Sequence, residues 1–397
     1  MKRVCLVFCL LFLFFIHANA QIAVKGETIW TMAGENIING VVLINSSGKI
    51  EAVGPASQIK IPADYKVISA KVVTPGLIDA HSVIGLSGYL NQPHDQMQVD
   101  QSGPIQPELR AIDAYNPEEK LIEWVRQYGV TTVHTGHAPA ALVSGQTMIA
   151  KTFGRTIDEV TLVPTAMIAV TLGEAALAQQ GRSPGTRAKE AAMIRSELVK
   201  AQSYGSKPDS PKDIRQEMWQ KVLRREIPLL VTAHKAHDIM TALRIAKEFN
   251  IRIILDGASE SYLLINEIKQ AGVPVIIHPT MYRAGGDAEN LSMETAAKLK
   301  AAGILVALQS GYETYVPKTR VVLFEAAIAA ANGLSQRDAL ATITIDAARI
   351  LGIADRVGSI EVGKDGDLAL YDGDPFEYTT HCIGTIVNGR VASDTVR

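Results

Sequence analysis

Between residues 130 and 332, short apolar runs alternate with amphipathic stretches, and this alternation limits the fold more than any other feature of the chain. The apolar runs lie at 130–133, 229–232, 251–255, 273–277 and 304–308. They are mainly apolar and lack the sustained every-second-residue polarity of a half-exposed strand, so they predict strands buried on both faces of a parallel sheet. The stretches at 117–128, 238–249, 262–271, 292–302 and 320–332 carry helical spacing. A parallel sheet needs such helices to cover it. Roughly eight strand–helix units over about 280 residues predict an α/β fold of the TIM-barrel type, (β/α)8, in preference to an open doubly wound sheet. No Gly-x-Gly-x-x-Gly or P-loop follows the first of these strands, which counts against a nucleotide-binding fold.

The two ends differ from the middle and resemble each other. From 22 to 73 short alternating runs (27–32, 40–44, 49–53) are separated by turns such as Ser46-Ser47-Gly48. Near the other end, Gly358-Ser359-Ile360 leads to Gly363, residues 367–371 read as a strand, Asp372-Gly373-Asp374-Pro375 is a turn, and 382–390 form a further strand closing in Asn388-Gly389. The segments 21–72 and 355–397 are expected to pair into one small composite β-sandwich flanking a barrel domain at 73–354.

Lys2 and Arg3, the apolar run 4–16 and Ala18-Asn19-Ala20 form a secretory signal at 1–20, with cleavage expected before Gln21. The run is too short for a good membrane span. The mature product is expected to be periplasmic or secreted. Its loss removes Cys5 and Cys9 and leaves Cys382 alone, which excludes a disulfide within the mature chain and a thiolate metal cluster. Losing Lys2 and Arg3 also takes the formal charge from -2 to about -4. That balance offers no footprint for nucleic acid or anionic lipid. The partner class left is a small-molecule substrate or ligand.

In a barrel, chemistry sits at the carboxyl ends of strands and in the loops that follow. Asp79-Ala80-His81, His234, Asp256 and His278 all directly follow apolar runs. A lone histidine there is more often a hydrogen-bonded loop residue than a ligand. The repetition at several strand ends points to a shared site, and imidazoles with carboxylates suit a catalytic divalent metal. Two long segments, 88–113 and 182–213, are candidate lids over that face.

Thr74-Pro75-Gly76-Leu77-Ile78-Asp79-Ala80-His81 closely resembles the barrel entry of amidohydrolases related to imidazolonepropionase. The hairpin Gly48-Lys49-Ile50-Glu51-Ala52-Val53-Gly54 and the late motif Gly358-Ser359-Ile360-Glu361-Val362-Gly363-Lys364-Asp365-Gly366-Asp367-Leu368 match the same family. So do Gly129-Val130-Thr131-Thr132-Val133 and Thr232-Ala233-His234-Lys235-Ala236-His237-Asp238-Ile239. The resemblance spans nearly the whole mature chain. It implies a distorted (β/α)8 barrel with the composite sandwich, and hydrolysis of a carbon–nitrogen bond other than a peptide bond.

The same resemblance shows departures. The family's His-x-His is here His81-Ser82-Val83, so Val83 replaces a ligand. Asp256 stands where a histidine is usual, and Gly311 stands where the family keeps the aspartate that binds metal and acts as base. Two readings stay open. A rebuilt centre would hold one divalent metal, zinc first, through His81, His234, Glu174 and Asp256, with Asp256 or Glu174 as proton acceptor. Alternatively the pocket is polar and metal-free, and the chain is a non-catalytic homologue that binds a ligand or a partner. His134, His137, Gln146, Arg187 and His278 are candidate substrate contacts, Arg187 as a clamp for an anionic group. A homo-oligomer, or pairing with an intact homologous subunit, is compatible with this kind of barrel.

Overall fold

The computed structural model describes residues 21–178, 182–206, 211–312 and 321–397. The expected signal at 1–20 and the first residue of the helix expected at 320–332 lie outside the described residues. The amino-terminal strands are β1 (Ile22–Ile29), β2 (Ile37–Ile44), β3 (Ile50–Pro55) and β4 (Lys66–Pro75). The central strands are β5 (Leu77–Ser82), β6 (Val130–Thr135), β7 (Val143–Gln146), β8 (Met148–Lys151), β9 (Thr161–Val163), β10 (Ile168–Thr171), β11 (Leu229–Ala233), β12 (Ile253–Gly257), β13 (Val275–Ile277) and β14 (Val306–Ala307). They are followed by β15 (Leu368–Tyr371), β16 (Cys382–Val387) and β17 (Arg390–Ser393).

β4 joins the two ends of the chain. It runs parallel to β1, with Lys66 opposite Ile22, and antiparallel to β15, with Pro75 opposite Leu368. Both ends therefore share one seven-stranded sheet, ordered β17-β16-β15-β4-β1-β2-β3. Successive residues of β1 feed opposite faces, as strand pleating requires: Ile22 and Val24 join one apolar cluster, Ala23 another. A sandwich was expected; what pairs is a single continuous sheet, apolar on both faces.

The central strands form two sheets. One runs β14-β13-β12-β11-β10-β7 and is parallel from β10 to β14. The other runs β5-β6-β8-β9, with β5 and β6 parallel. No single closed ring forms among the described residues. The physical reason is local: β14 is two residues long, so the ladder that would close the ring is reduced to isolated bonds. The Gly311 N–H donates to the His81 carbonyl at 3.1 Å and the Ala80 N–H to that of Leu308 at 3.3 Å. These bonds still bring the end of β5 beside the segment after β14.

The expected helices are present with trimmed ends. Ala236–Phe249 buries Ile239, Ala242, Leu243 and Ile245 and stops at Asn250, whose left-handed backbone (φ 53°) closes the last turn. Ile265–Ala271, Thr295–Ala301 and Val322–Ala331 cover the following strands. The stretch expected as a second lid is largely a long helix, Arg187–Gly205, started by the Thr186 hydroxyl, which accepts from the Lys189 N–H at 3.3 Å. In the entry motif, Gly76 is required by close approach, since a Cβ there would fall 2.2 Å from the Thr131 side chain.

A buried ion network ties the β5-β6-β8-β9 sheet to the carboxy-terminal segment. The Lys151 ammonium on β8 sits 3.0 Å from Asp365 and also bonds Asp367. Asp365 additionally receives Lys49 at 2.6 Å and Arg356 at 3.1 Å. Both aspartates belong to the late motif, which gives that motif a structural meaning.

Candidate functional site

Buried strands place the central residues. β5 is buried along its whole length and delivers His81 near its end; β12 delivers Asp256, β11 delivers Thr232, and Gln309 follows β14. The His81 Nδ1 lies 2.9 Å from Asp256 Oδ1. The same carboxylate oxygen accepts from Gln309 Nε2 at 2.9 Å, and Oδ2 accepts from the Thr232 hydroxyl at 2.6 Å. Gln309 is held in turn by the Ile277 carbonyl at 3.0 Å. Both oxygens of Asp256 are thus engaged inside the protein. A carboxylate can only accept, so the hydrogen of His81 sits on Nδ1. Its Nε2 is buried and has no partner.

These residues line a small cavity of ≈ 50 Å³, whose wall also includes Val83, His234, His278, Pro279, Tyr282 and Gly311. His234 Nδ1 lies 2.7 Å from the Ser259 hydroxyl, and its ring stacks on Tyr282 at 6.4 Å between centroids. His278 Nδ1 lies 2.8 Å from the Pro279 carbonyl, and its Nε2 is buried without a partner.

The electrostatics follow from burial and pairing. Burial works against a charged His81, but the Asp256 charge and hydrogen bond outweigh it and raise the His81 pKa above its usual 6.5. Asp256 moves the other way: burial is opposed by His81 and by the Thr232 hydroxyl, and its carboxyl ends below its usual range. Burial pushes His278 down to about 4 and lowers His234. Behind His81, burial raises Asp79 to about 7 although the Ser310 and His81 N–H groups donate to it.

Several expected site residues stand elsewhere. Glu174 is exposed: the chain turns at Gly173 (φ 109°), and the Glu174 N–H donates to Asp287 at 2.6 Å. It does not line the cavity, so it serves neither as ligand nor as base beside His81. Asp256 is at the centre, where its oxygens are taken up by His81, Gln309 and Thr232. Arg187 binds Asp238 at 3.0 Å and both oxygens of Asp287 at 2.6 and 2.7 Å, an internal clamp and not one for a substrate anion. His134 is fully buried with both ring nitrogens satisfied, by the Ala80 carbonyl and the Thr147 hydroxyl, each at 2.7 Å. Burial holds its pKa near about 3. Gln146 is fixed between the Pro107 carbonyl and the Thr165 hydroxyl, and His137 is buried away from the cavity wall beside Gly145. Of the expected set, the structure brings together His81, His234, Asp256 and His278.

Sequence reasoning missed Thr232 and Gln309. A signal existed for Gln309: it is the first polar residue after the apolar run 304–308, the placement that singled out the histidines.

Metal binding can be tested on the donors present. Among the described residues, no group of three or more His, Cys, Asp or Glu side chains stands where it could hold a metal ion. Val83 and Gly311 offer no donor, and Asp256 has both oxygens engaged.

Comparison with known proteins agrees with the motifs. The amidohydrolase family model matches residues 213–392. Imidazolonepropionase of Brucella anthropi is 24% identical over 387 residues, covering 90% of this chain and 92% of its own. The crystal structure of an amidohydrolase from Thermotoga maritima superposes with a TM-score of 0.88 at 29% identity, over 94% of this chain and 100% of that one. A zinc-bound adenosine deaminase from Xanthomonas campestris shares the fold at 13% identity and a TM-score of 0.55, over 93% of this chain and 92% of its own. Fold, motifs and matches together support an assignment to the amidohydrolase superfamily and to hydrolases acting on C–N bonds. Within it, the chain is related to the imidazolonepropionases. Among the described residues no helix is long and apolar enough to cross a membrane.

Proposed function

We propose that the chain is an exported C–N hydrolase of small molecules in which the family's metal centre has been altered and an Asp256–His81 pair performs the proton transfer. The observation that carries this reading is the 2.9 Å hydrogen bond from His81 Nδ1 to Asp256, in a residue that lines the cavity and whose Nε2 is buried without a partner. In that arrangement His81 Nε2 takes the proton of a water attacking the carbonyl carbon and returns it to the leaving nitrogen. Asp256 fixes the tautomer and steadies the imidazolium, and Thr232 and Gln309 hold Asp256. Because Asp256 raises the His81 pKa, turnover should rise with pH through a value above 6.5. The reading assumes that the two central sheets are arcs of one distorted (β/α)8 barrel, with the shared end sheet as its composite companion domain.

The test is hydrolysis of a panel of primary amides, lactams and cyclic ureides by the mature chain before and after exhaustive chelation, with metal counted by elemental analysis. Turnover that survives chelation supports the pair. Turnover that vanishes with the metal and returns with zinc would sink it in favour of a rebuilt metal site. Export follows from the leader expected at 1–20, and mass spectrometry of the mature amino terminus should find Gln21 first. An uncleaved chain would remove that part of the proposal.

A further inference from the structure

The cavity wall has an acceptor for which the proton transfer above has no use. His278 is 1% exposed, and its Nδ1 lies 2.8 Å from the Pro279 carbonyl. A carbonyl only accepts, so the ring hydrogen sits on Nδ1 and Nε2 presents a lone pair. That lone pair is buried and has no partner, and His278 is part of the cavity wall. Buried acceptors without a partner are uncommon. The ring is also fixed in direction: the His278 N–H donates to the Gly257 carbonyl at 2.7 Å, and the next turn is tied down by the Thr280 hydroxyl donating to Glu325 at 2.6 Å.

Charge narrows the ligand further. Among the described residues no lysine or arginine lines the cavity. Asp256 contributes one negative charge and a protonated His81 would at most cancel it, so the Asp256–His81 pair gives the described wall no net positive charge. Arg187, the expected anion clamp, is held by Asp238 and Asp287. Space adds a third restriction, because ≈ 50 Å³ is room for a few water-sized groups and favours a small ligand.

We infer that His278 selects the substrate by accepting a hydrogen bond from its N–H, and that the cavity takes a small uncharged amide or lactam with a free N–H. The inference deepens the proposed function and rests on the cavity being the reaction site. It separates acceptable amides from two common classes: N-alkylated amides, which leave Nε2 unpaired, and amides carrying a carboxylate, which the cavity has no cation to receive.

Three lactams of one ring size test it. The mature chain is titrated with 2-pyrrolidone, N-methyl-2-pyrrolidone and pyroglutamate, while the histidine ring nitrogens are followed by NMR. The expected result is that 2-pyrrolidone binds at least about tenfold more tightly than either of the others and shifts His278 Nε2, since an unpaired buried acceptor weakens binding by that order. In His278→Leu the preference over the N-methyl compound should collapse toward one while the thermal melt stays cooperative. Equal binding of the N-methyl compound, tighter binding of pyroglutamate, or no binding of 2-pyrrolidone would overturn the inference. Failure of the Asp256–His81 pair has a different signature, namely an intact lactam preference without hydrolysis.

Discussion

Two of the buried polar clusters differ in the atoms they leave over. Around Lys151, Asp365 and Asp367, opposite charges meet one another, with Lys49 and Arg356 completing the set. Around Asp256, the carboxylate is likewise enclosed by donors, but two imidazole nitrogens, His81 Nε2 and His278 Nε2, remain unpaired, and both residues line a cavity. Buried polar groups are normally satisfied, because an unmade bond costs free energy with no return in stability. The first cluster therefore reads as a clamp between a central sheet and the end sheet, and the second as a place prepared for a molecule that the protein does not itself supply.

The comparison can be broken by substitution. Lys151→Met leaves two buried aspartates without their central cation, and the expected loss is about 3–5 kcal/mol of unfolding free energy, read by urea denaturation. A loss below about 1 kcal/mol would show that the network is not the clamp described. Gly311→Asp returns the family's residue to the cavity wall. Gly311 has φ 70°, and a Cβ there would fall 2.7 Å from Pro279, so the variant should lose about 1–3 kcal/mol and gain no metal site. Stoichiometric zinc in that variant would mean that one substitution suffices to restore the lost centre.

A third expected effect is read along pH and concerns a histidine that is buried and satisfied. Burial holds the His134 pKa near about 3 in the folded chain against 6.5 unfolded. Between those values the unfolded state holds the extra proton, so His134 costs stability as pH falls, at about 1.4 kcal/mol per pH unit. Asp79, raised to about 7, tilts stability the opposite way over the upper part of this range. Comparison with His134→Gln isolates the histidine: the wild type should lose stability more steeply between roughly pH 6 and 4. Parallel acid limbs would show that His134 titrates normally.

Much of the fold was legible in the sequence because burial leaves a periodic trace. The runs at 229–232 and 251–255 became β11 and β12, and the two ends met in one sheet through β4 and β15. Closure of the ring was not legible, since it depends on a two-residue strand and a few isolated bonds. In the site, the histidines at strand ends were readable from position alone. Asp256 was found as well, but its role was not, because two oxygens engaged by Thr232 and Gln309 are a fact of geometry. Glu174 and Arg187 were misplaced for the same reason. Their side-chain types suited the chemistry, but a turn at Gly173 and the carboxylates of Asp238 and Asp287 drew them elsewhere.

The most direct measurement is kcat/KM of His81→Asn against wild type on an amide that the wild type hydrolyses, with the melt recorded for both. If His81 is the base, kcat/KM should fall by about 10²- to 10⁴-fold while unfolding stays cooperative. Unchanged turnover in a folded variant would contradict the assignment of the chemistry to the Asp256–His81 pair.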